Sequence, residues 1–245
     1  MSLGWKEALG GVAAAAVGAG IAIAAMGGLG HGPAKGPDET AMGETIHRYL
    51  LDHPEVIPEA MDRLQDKQTA QAIAANRDQI EAPFAGAIAG NPKGDVTLVE
   101  YFDYACGYCR QSVADVDRLI AADPKLRVVY KELPVLDGAI SDRAAQVSLV
   151  AAKAGKFVAF HHALYQMPAP LDDAKTDAVA AKLGLDLAGI SSADIVGEIN
   201  ANLATGRSLR MSGTPTFVVG DQLLAGAVGH DALKAAIDKA RKAKG

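Results

Sequence analysis

The chain has 245 residues, 49% hydrophobic and only 5% aromatic, with a net charge of −5. That length carries one well-buried domain of roughly 150 residues plus extensions. The acidic balance, the scarcity of rings on which bases could stack and the lack of a basic stretch other than the Lys239–Lys244 helix end exclude a nucleic-acid surface.

Residues 1–30 read as a targeting segment. No charge occurs between Ala8 and Leu29. Ala22-Ile23-Ala24 offers a small-residue cleavage site, as in a signal peptide. The same uncharged run is long enough to span a bilayer at about 1.5 Å per residue. It continues past Ala24, which favours an uncleaved anchor over a cleaved signal; either one exports the rest of the chain. Residues 31–43 are expected to be a linker, because Gly32, Pro33, Gly36 and Pro37 oppose regular structure.

Residues 44–82 read as helical. Ile46, Tyr49, Leu50 and Leu51 make a short apolar face, and Asp52-His53-Pro54 interrupts it. Pro54 or Pro58 suits the first turn of a second helix. That helix carries Ile57, Ala60, Met61 and Leu64 at helical spacing and becomes polar towards Ile80. A lone surface helix cannot bury such a stripe, so it packs either on its own domain or on another chain. Periodicity does not choose between the two.

Pro83 and Gly90-Asn91-Pro92 mark a boundary, and the main domain is expected over 90–245. Val96 to Phe102 is apolar on both alternating faces, as in a central buried strand. A helix runs from the cysteines to about Ala122, and Leu126 to Glu132 is a second strand ended by Pro134. A helical insertion, about 138–209, contains helices over Ser141–Leu164 (broken near Gly155), Asp173–Leu183 and Ser192–Leu209. A hairpin turns about Gly220-Asp221, and Leu233, Ala236, Ile237 and Ala240 line a last amphipathic helix. The plan is α/β with a helical insertion in its middle.

The only cysteines are Cys106 and Cys109. A bridge between them closes so short a loop that it would add little stability, which disfavours a structural disulfide. Cys106 follows a strand and opens a helix, so its sulfur faces unpaired N–H groups and the positive end of the helix dipole. Both favour the thiolate, which is the nucleophile. Cys109 falls in the buried stripe with Val113, Val116 and Ile120. An attacking sulfur in front of a shielded resolving one suits a redox pair. A c-type haem site needs a histidine where Arg110 stands. A closed zinc site needs about four ligands, and adjacent His161 and His162 point in different directions. These two histidines are expected to be packing or surface residues, and no metal or cofactor is expected.

The run Val99-Glu100-Tyr101-Phe102-Asp103-Tyr104-Ala105-Cys106-Gly107-Tyr108-Cys109 resembles the active-site segment of DsbA-like proteins of the thioredoxin superfamily. Ser212-Gly213-Thr214-Pro215-Thr216-Phe217 resembles that family's cis-proline loop, and Ile46 to Leu64 looks like the N-terminal extension of its ScsC-type branch. The resemblance implies a thioredoxin-like fold with an inserted helical domain, preceded by N-terminal helices. It implies a cis Thr214–Pro215 bond against the sulfurs. It also implies Glu100 beneath the cysteines as a proton acceptor near Lys131, with a structural ion pair as the plainer alternative. Gly107, Tyr108, Thr214 and Pro215 would meet the substrate.

Gly107-Tyr108 and Thr214 resemble the DsbC isomerases, whereas DsbA oxidases carry Pro-His and Val there. The expected activity is therefore extracytoplasmic protein thiol–disulfide interchange of isomerase or reductase character. Alternatives are a DsbA-type oxidase, a membrane-tethered protein binding copper through the pair, and a non-catalytic scaffold. The implied partners are cysteine-containing proteins, a membrane redox partner and, through residues 45–80, further copies of the chain. The implied location is the periplasm.

Overall fold

The computed structural model describes residues 39–244. The expected signal or anchor, 1–30, lies outside them. Among the described residues no helix is long and apolar enough to cross a membrane.

The first helix, α1, spans Glu39–Asp52, so the last part of the expected linker, 39–43, is helical. Pro37 is the final breaker before it, and Glu39 places a negative charge in its first turn. None of its side chains is buried; Met42, Ile46 and Tyr49 stand exposed at helical spacing. The Tyr49 and His53 rings lie 4.5 Å apart at its end. This helix and Pro54 belong to one compact unit, and residues from Glu55 onwards form another.

The second unit opens with α2, Val56–Glu81. Pro58 sits in its first turn, where an N–H has no intrahelical partner. Two halves of this helix differ. Ile57, Met61 and Leu64 are exposed, whereas Ile73 and Ile80 are wholly buried. These two pack with Val99, Tyr101, Val129, Leu133, Leu209 and Val218 on one face of the sheet. Arg77 fastens the same half, pairing with Glu81 and Asp221 and donating to the Gly220 carbonyl at 3.2 Å. The main domain therefore includes the end of α2 and does not begin at residue 90. We predict that Ile73→Ala lowers stability by about 2–5 kcal/mol in denaturant titration, while Ile57→Ala leaves the fold of the single chain within about 0.5 kcal/mol.

Five strands follow: β1 (Ile88–Gly90), β2 (Val96–Phe102), β3 (Leu126–Glu132), β4 (Thr216–Val219) and β5 (Gln222–Ala225), in spatial order β1-β3-β2-β4-β5. β2 and β3 run parallel, joined by α3 (Gly107–Ala122), the helical crossover that parallel strands need. β1 and β4 pair antiparallel to them. Gly90 ends β1 with φ +71°, and a Cβ there would lie 2.5 Å from the Leu126 carbonyl oxygen, so only glycine fits. All seven residues of β2 are buried. Val96, Leu98 and Phe102 join the larger core, while Val99 and Tyr101 face α2.

The insertion comprises α4 (Gly138–Lys153), α5 (Phe157–Gln166), α6 (Asp173–Lys182) and α7 (Ala193–Ser208), with α4 and α5 parted about Gly155. The last helix, α8 (His230–Lys244), buries Leu233, Ala236, Ile237 and Ala240.

Candidate active site

β2 ends at Phe102, and the chain turns through Asp103 to Cys106 before α3 begins. The Cys106 N–H closes the turn on the Asp103 carbonyl at 3.0 Å, and an Asp103 carboxylate oxygen takes the Ala105 N–H at 2.9 Å. An aspartate accepting from the residue two places on is a common turn-former. Cys106 then caps α3 in extended conformation, φ −83° and ψ 116°, its sulfur accepting the Cys109 N–H at 3.3 Å.

Both cysteines are free thiols. Cys106 is 5% exposed and Cys109 is wholly buried. The attacking sulfur is thus less open than the sequence suggests, because it rests against the Thr214 carbonyl, 3.1 Å away. The pair is still electrostatically split. The Cys109 thiol, with Thr214 and the N–H groups of Cys109 and Tyr108, draws the Cys106 pKa down to about 6. Burial, then the bond to Cys106 and the nearby Glu100 charge, push the Cys109 thiol far up.

The Thr214–Pro215 bond is cis, and Thr216 follows directly as the first residue of β4, opposite Tyr101 of β2. This pairing holds the loop over the cysteines. Tyr108 projects outwards, 64% exposed, and Gly107 beside it is exposed.

Glu100 lies under the pair, on the β2 face it shares with Leu98 and Phe102. It is 1% exposed, and one carboxylate oxygen has no hydrogen-bond partner. Burial, then the charges of Cys106 and Asp117, raise its pKa to about 8. Lys131 is not its partner. The parallel register sets Glu100 beside Tyr130 and Tyr101 beside Lys131, and alternate strand residues point to opposite faces. Lys131 accordingly reaches Glu198 of α7 at 2.8 Å, a half-buried ion pair away from the sulfurs. The structure gathers Cys106, Cys109, Glu100, Gly107, Tyr108, Thr214 and Pro215, and leaves Lys131 outside.

His161 is buried among the rings of Phe102, Tyr104, Tyr130, Phe157 and Tyr165, and burial holds its pKa down at about 3. It is a neutral packing residue, with Tyr104 Oη 3.3 Å from its Nδ1. His162 turns the other way and meets Asp117 at 3.1 Å. Among the described residues no three His, Cys, Asp or Glu side chains gather as a metal site.

Three groups near the cysteines escape a reading of the sequence. Glu132 is buried on the Tyr130 side of β3, its pKa raised by burial. Arg110 donates to the Met167 carbonyl at 2.7 Å and to the Tyr165 carbonyl, holding the end of α5 against α3. Asp103 binds more than its own turn, taking the Val135 and Leu136 N–H groups as well. The Asp-x-Ala turn pattern signals its first contact; the rest depend on distant segments.

The model of the DSBA-like thioredoxin domain matches residues 97–238, and that of the copper resistance protein ScsC N-terminal domain matches residues 38–71. A thioredoxin-like oxidoreductase from Silicibacter pomeroyi DSS-3 is 41% identical, covering 68% of this chain and 98% of its own, with a TM-score of 0.65. A linker-deletion mutant of Proteus mirabilis ScsC is 26% identical, covering 88% of this chain and 100% of its own, with a TM-score of 0.69. Among curated proteins, the Na(+)/H(+) antiporter NhaA 3 of Salinispora tropica is 30% identical over 155 residues, 61% of this chain. The chain spans only 24% of the length of that antiporter.

Proposed function

From the premise that this chain belongs to the DSBA-like thioredoxin domain family, and carries an ScsC-type N-terminal domain ahead of it, we propose that it performs disulfide interchange on periplasmic proteins as an isomerase or reductase. The observation that carries this reading is the split pair, with Cys106 lowered to about 6 at the start of α3 and Cys109 sealed behind it.

The chemistry follows from that split. The Cys106 thiolate attacks one sulfur of a substrate disulfide; a mixed disulfide forms, the substrate S–S bond breaks and one substrate thiolate leaves. Another substrate thiolate can attack the mixed disulfide, forming a new substrate bond and returning Cys106, with no net redox change. That is isomerisation. Alternatively Cys109 loses its proton to Glu100 and attacks Cys106, releasing the second substrate thiolate. The substrate then leaves reduced by two electrons, with Cys106 and Cys109 joined. The Gly107-Tyr108 and Thr214 pattern favours these two outcomes over net oxidation. Refolding of a scrambled-disulfide substrate, run beside insulin reduction, tests the proposal. Activity in either assay supports it. Oxidation of reduced substrates alone would replace it with the oxidase reading, and tight Cu(I) binding without turnover with the copper-handling one.

We also propose that the N-terminal helices assemble copies of the chain. Met42, Ile46 and Tyr49 of α1, and Ile57, Met61 and Leu64 of α2, are large, apolar and exposed. Light scattering of residues 39–245 should give a dimer or trimer, and removal of residues before 66 an active monomer. Truncation as far as residue 82 would also strip Ile73 and Ile80 from the core and should unfold the domain. A monomer at micromolar concentration for the longer chain would refute the assembly.

A further inference from the structure

We infer that Asp103 is a positioning residue that ties the turn presenting Cys106 to the apolar rim at Val135 and Leu136. The inference rests on the exchange reading of the cysteine pair. Asp103 is 1% exposed, yet its carboxylate is fully engaged. One oxygen takes the Ala105 N–H at 2.9 Å and the Ser141 hydroxyl at 2.8 Å. The other takes the Val135 and Leu136 N–H groups at 2.9 and 3.0 Å. Four donors satisfy both oxygens of the group, and an unsatisfied buried polar atom is costly. The Asp103 carbonyl adds the Cys106 N–H and the Tyr165 hydroxyl, each at 3.0 Å.

These bonds join the cysteine turn to two stretches distant in sequence: the loop after β3 running into the first turn of α4, and the end of α5 at Tyr165. The loop they fasten is unusual in what it exposes. Val135 and Leu136 are 49% and 53% exposed although both are apolar. Their backbone N–H groups are consumed inwards by Asp103, and their side chains stay outwards. A loop with free amides could turn and bury them; the clamp denies it that choice. A protein substrate approaching Cys106 meets this rim, whereas a small disulfide does not need it. Asp103 therefore sets how well the site distinguishes a polypeptide from a small thiol reagent.

Asp103→Asn keeps the size but puts an amide where two donors converge, so the Ala105 N–H or the pair at Val135 and Leu136 loses its acceptor. The test compares a peptide disulfide whose cysteines have apolar neighbours with 5,5′-dithiobis(2-nitrobenzoate), a small disulfide that needs only access to the Cys106 sulfur. The peptide KM should rise about tenfold, and the ratio of small-reagent to peptide kcat/KM should rise by a similar factor. Equal losses with both substrates would mean a merely structural role, and no change in either would mean none; each overturns the inference. Ser141→Ala leaves the Asp103 carboxyl in place and removes one of its four donors, together with the acceptor of the Asp137 N–H, which guards against a variant that does not fold. It should move the peptide KM the same way, about two- to threefold, and an unmoved KM overturns the inference too. Absence of reaction with the small reagent in the unmodified protein would instead defeat the exchange reading.

Discussion

Replacing Cys106 with serine should lower exchange on protein disulfides on the order of a thousandfold, about 4 kcal/mol of barrier. A serine hydroxyl is not ionised near neutral pH and cannot take the place of a thiolate drawn down to about 6. Cys109→Ser should behave differently. Attack by Cys106 remains, but no buried thiol is left to release the adduct, so substrate should accumulate as mixed disulfide. Non-reducing gels should show the adducts, and mild thiol should clear them. The reduced protein gives a direct check. Iodoacetamide should modify Cys106 with a midpoint near pH 6 and leave Cys109, raised by burial, unmodified throughout. Equal alkylation of the two sulfurs at pH 6 would reverse or remove their roles.

Much of this site is legible in the sequence because its signals are local. β2 and β3 run from Val96 to Phe102 and Leu126 to Glu132, as their apolar runs and bounding residues suggest. The position of Cys106 at a strand-to-helix turn follows from those same boundaries. What the sequence hides depends on pairing. Lys131 looks like a partner for Glu100 until the parallel register shows them on opposite faces. β1 has three residues, too few for an alternation to be seen. Ile73 and Ile80 lie in a helix rich in alanine and polar groups, where one apolar residue every second turn does not stand out against the exposed stripe before it. The partners of Asp103 lie 32, 33 and 38 residues away along the chain, so no local motif contains them.

Glu100→Gln should separate function from stability. The carboxylate is the base proposed for Cys109, and losing a positioned general base costs about 10²-fold or more in the step it serves. Resolution of the mixed disulfide should slow by that order, while attack by Cys106 stays close to its original rate. The pH dependence identifies the group. In the reduced protein its pKa is about 8, partly through the Cys106 charge. That charge disappears in the mixed disulfide, so resolution should plateau above a midpoint lower than 8. In the glutamine variant the rate should climb with hydroxide and show no such midpoint. Stability moves the other way. In the unfolded chain Glu100 ionises near 4.5, whereas in the folded one burial delays ionisation to about 8. The wild type therefore loses stability as pH rises between those values, and glutamine, neutral throughout, does not. Between pH 5 and pH 8 the difference in unfolding free energy should shift towards the variant by on the order of 3 kcal/mol. Denaturant titrations of both reduced proteins at the two pH values measure it. A variant that is slower yet gains relative stability with pH has lost a buried base. One with an unchanged pH–rate profile has lost only a structural carboxyl, and the proton of Cys109 must then leave by another route.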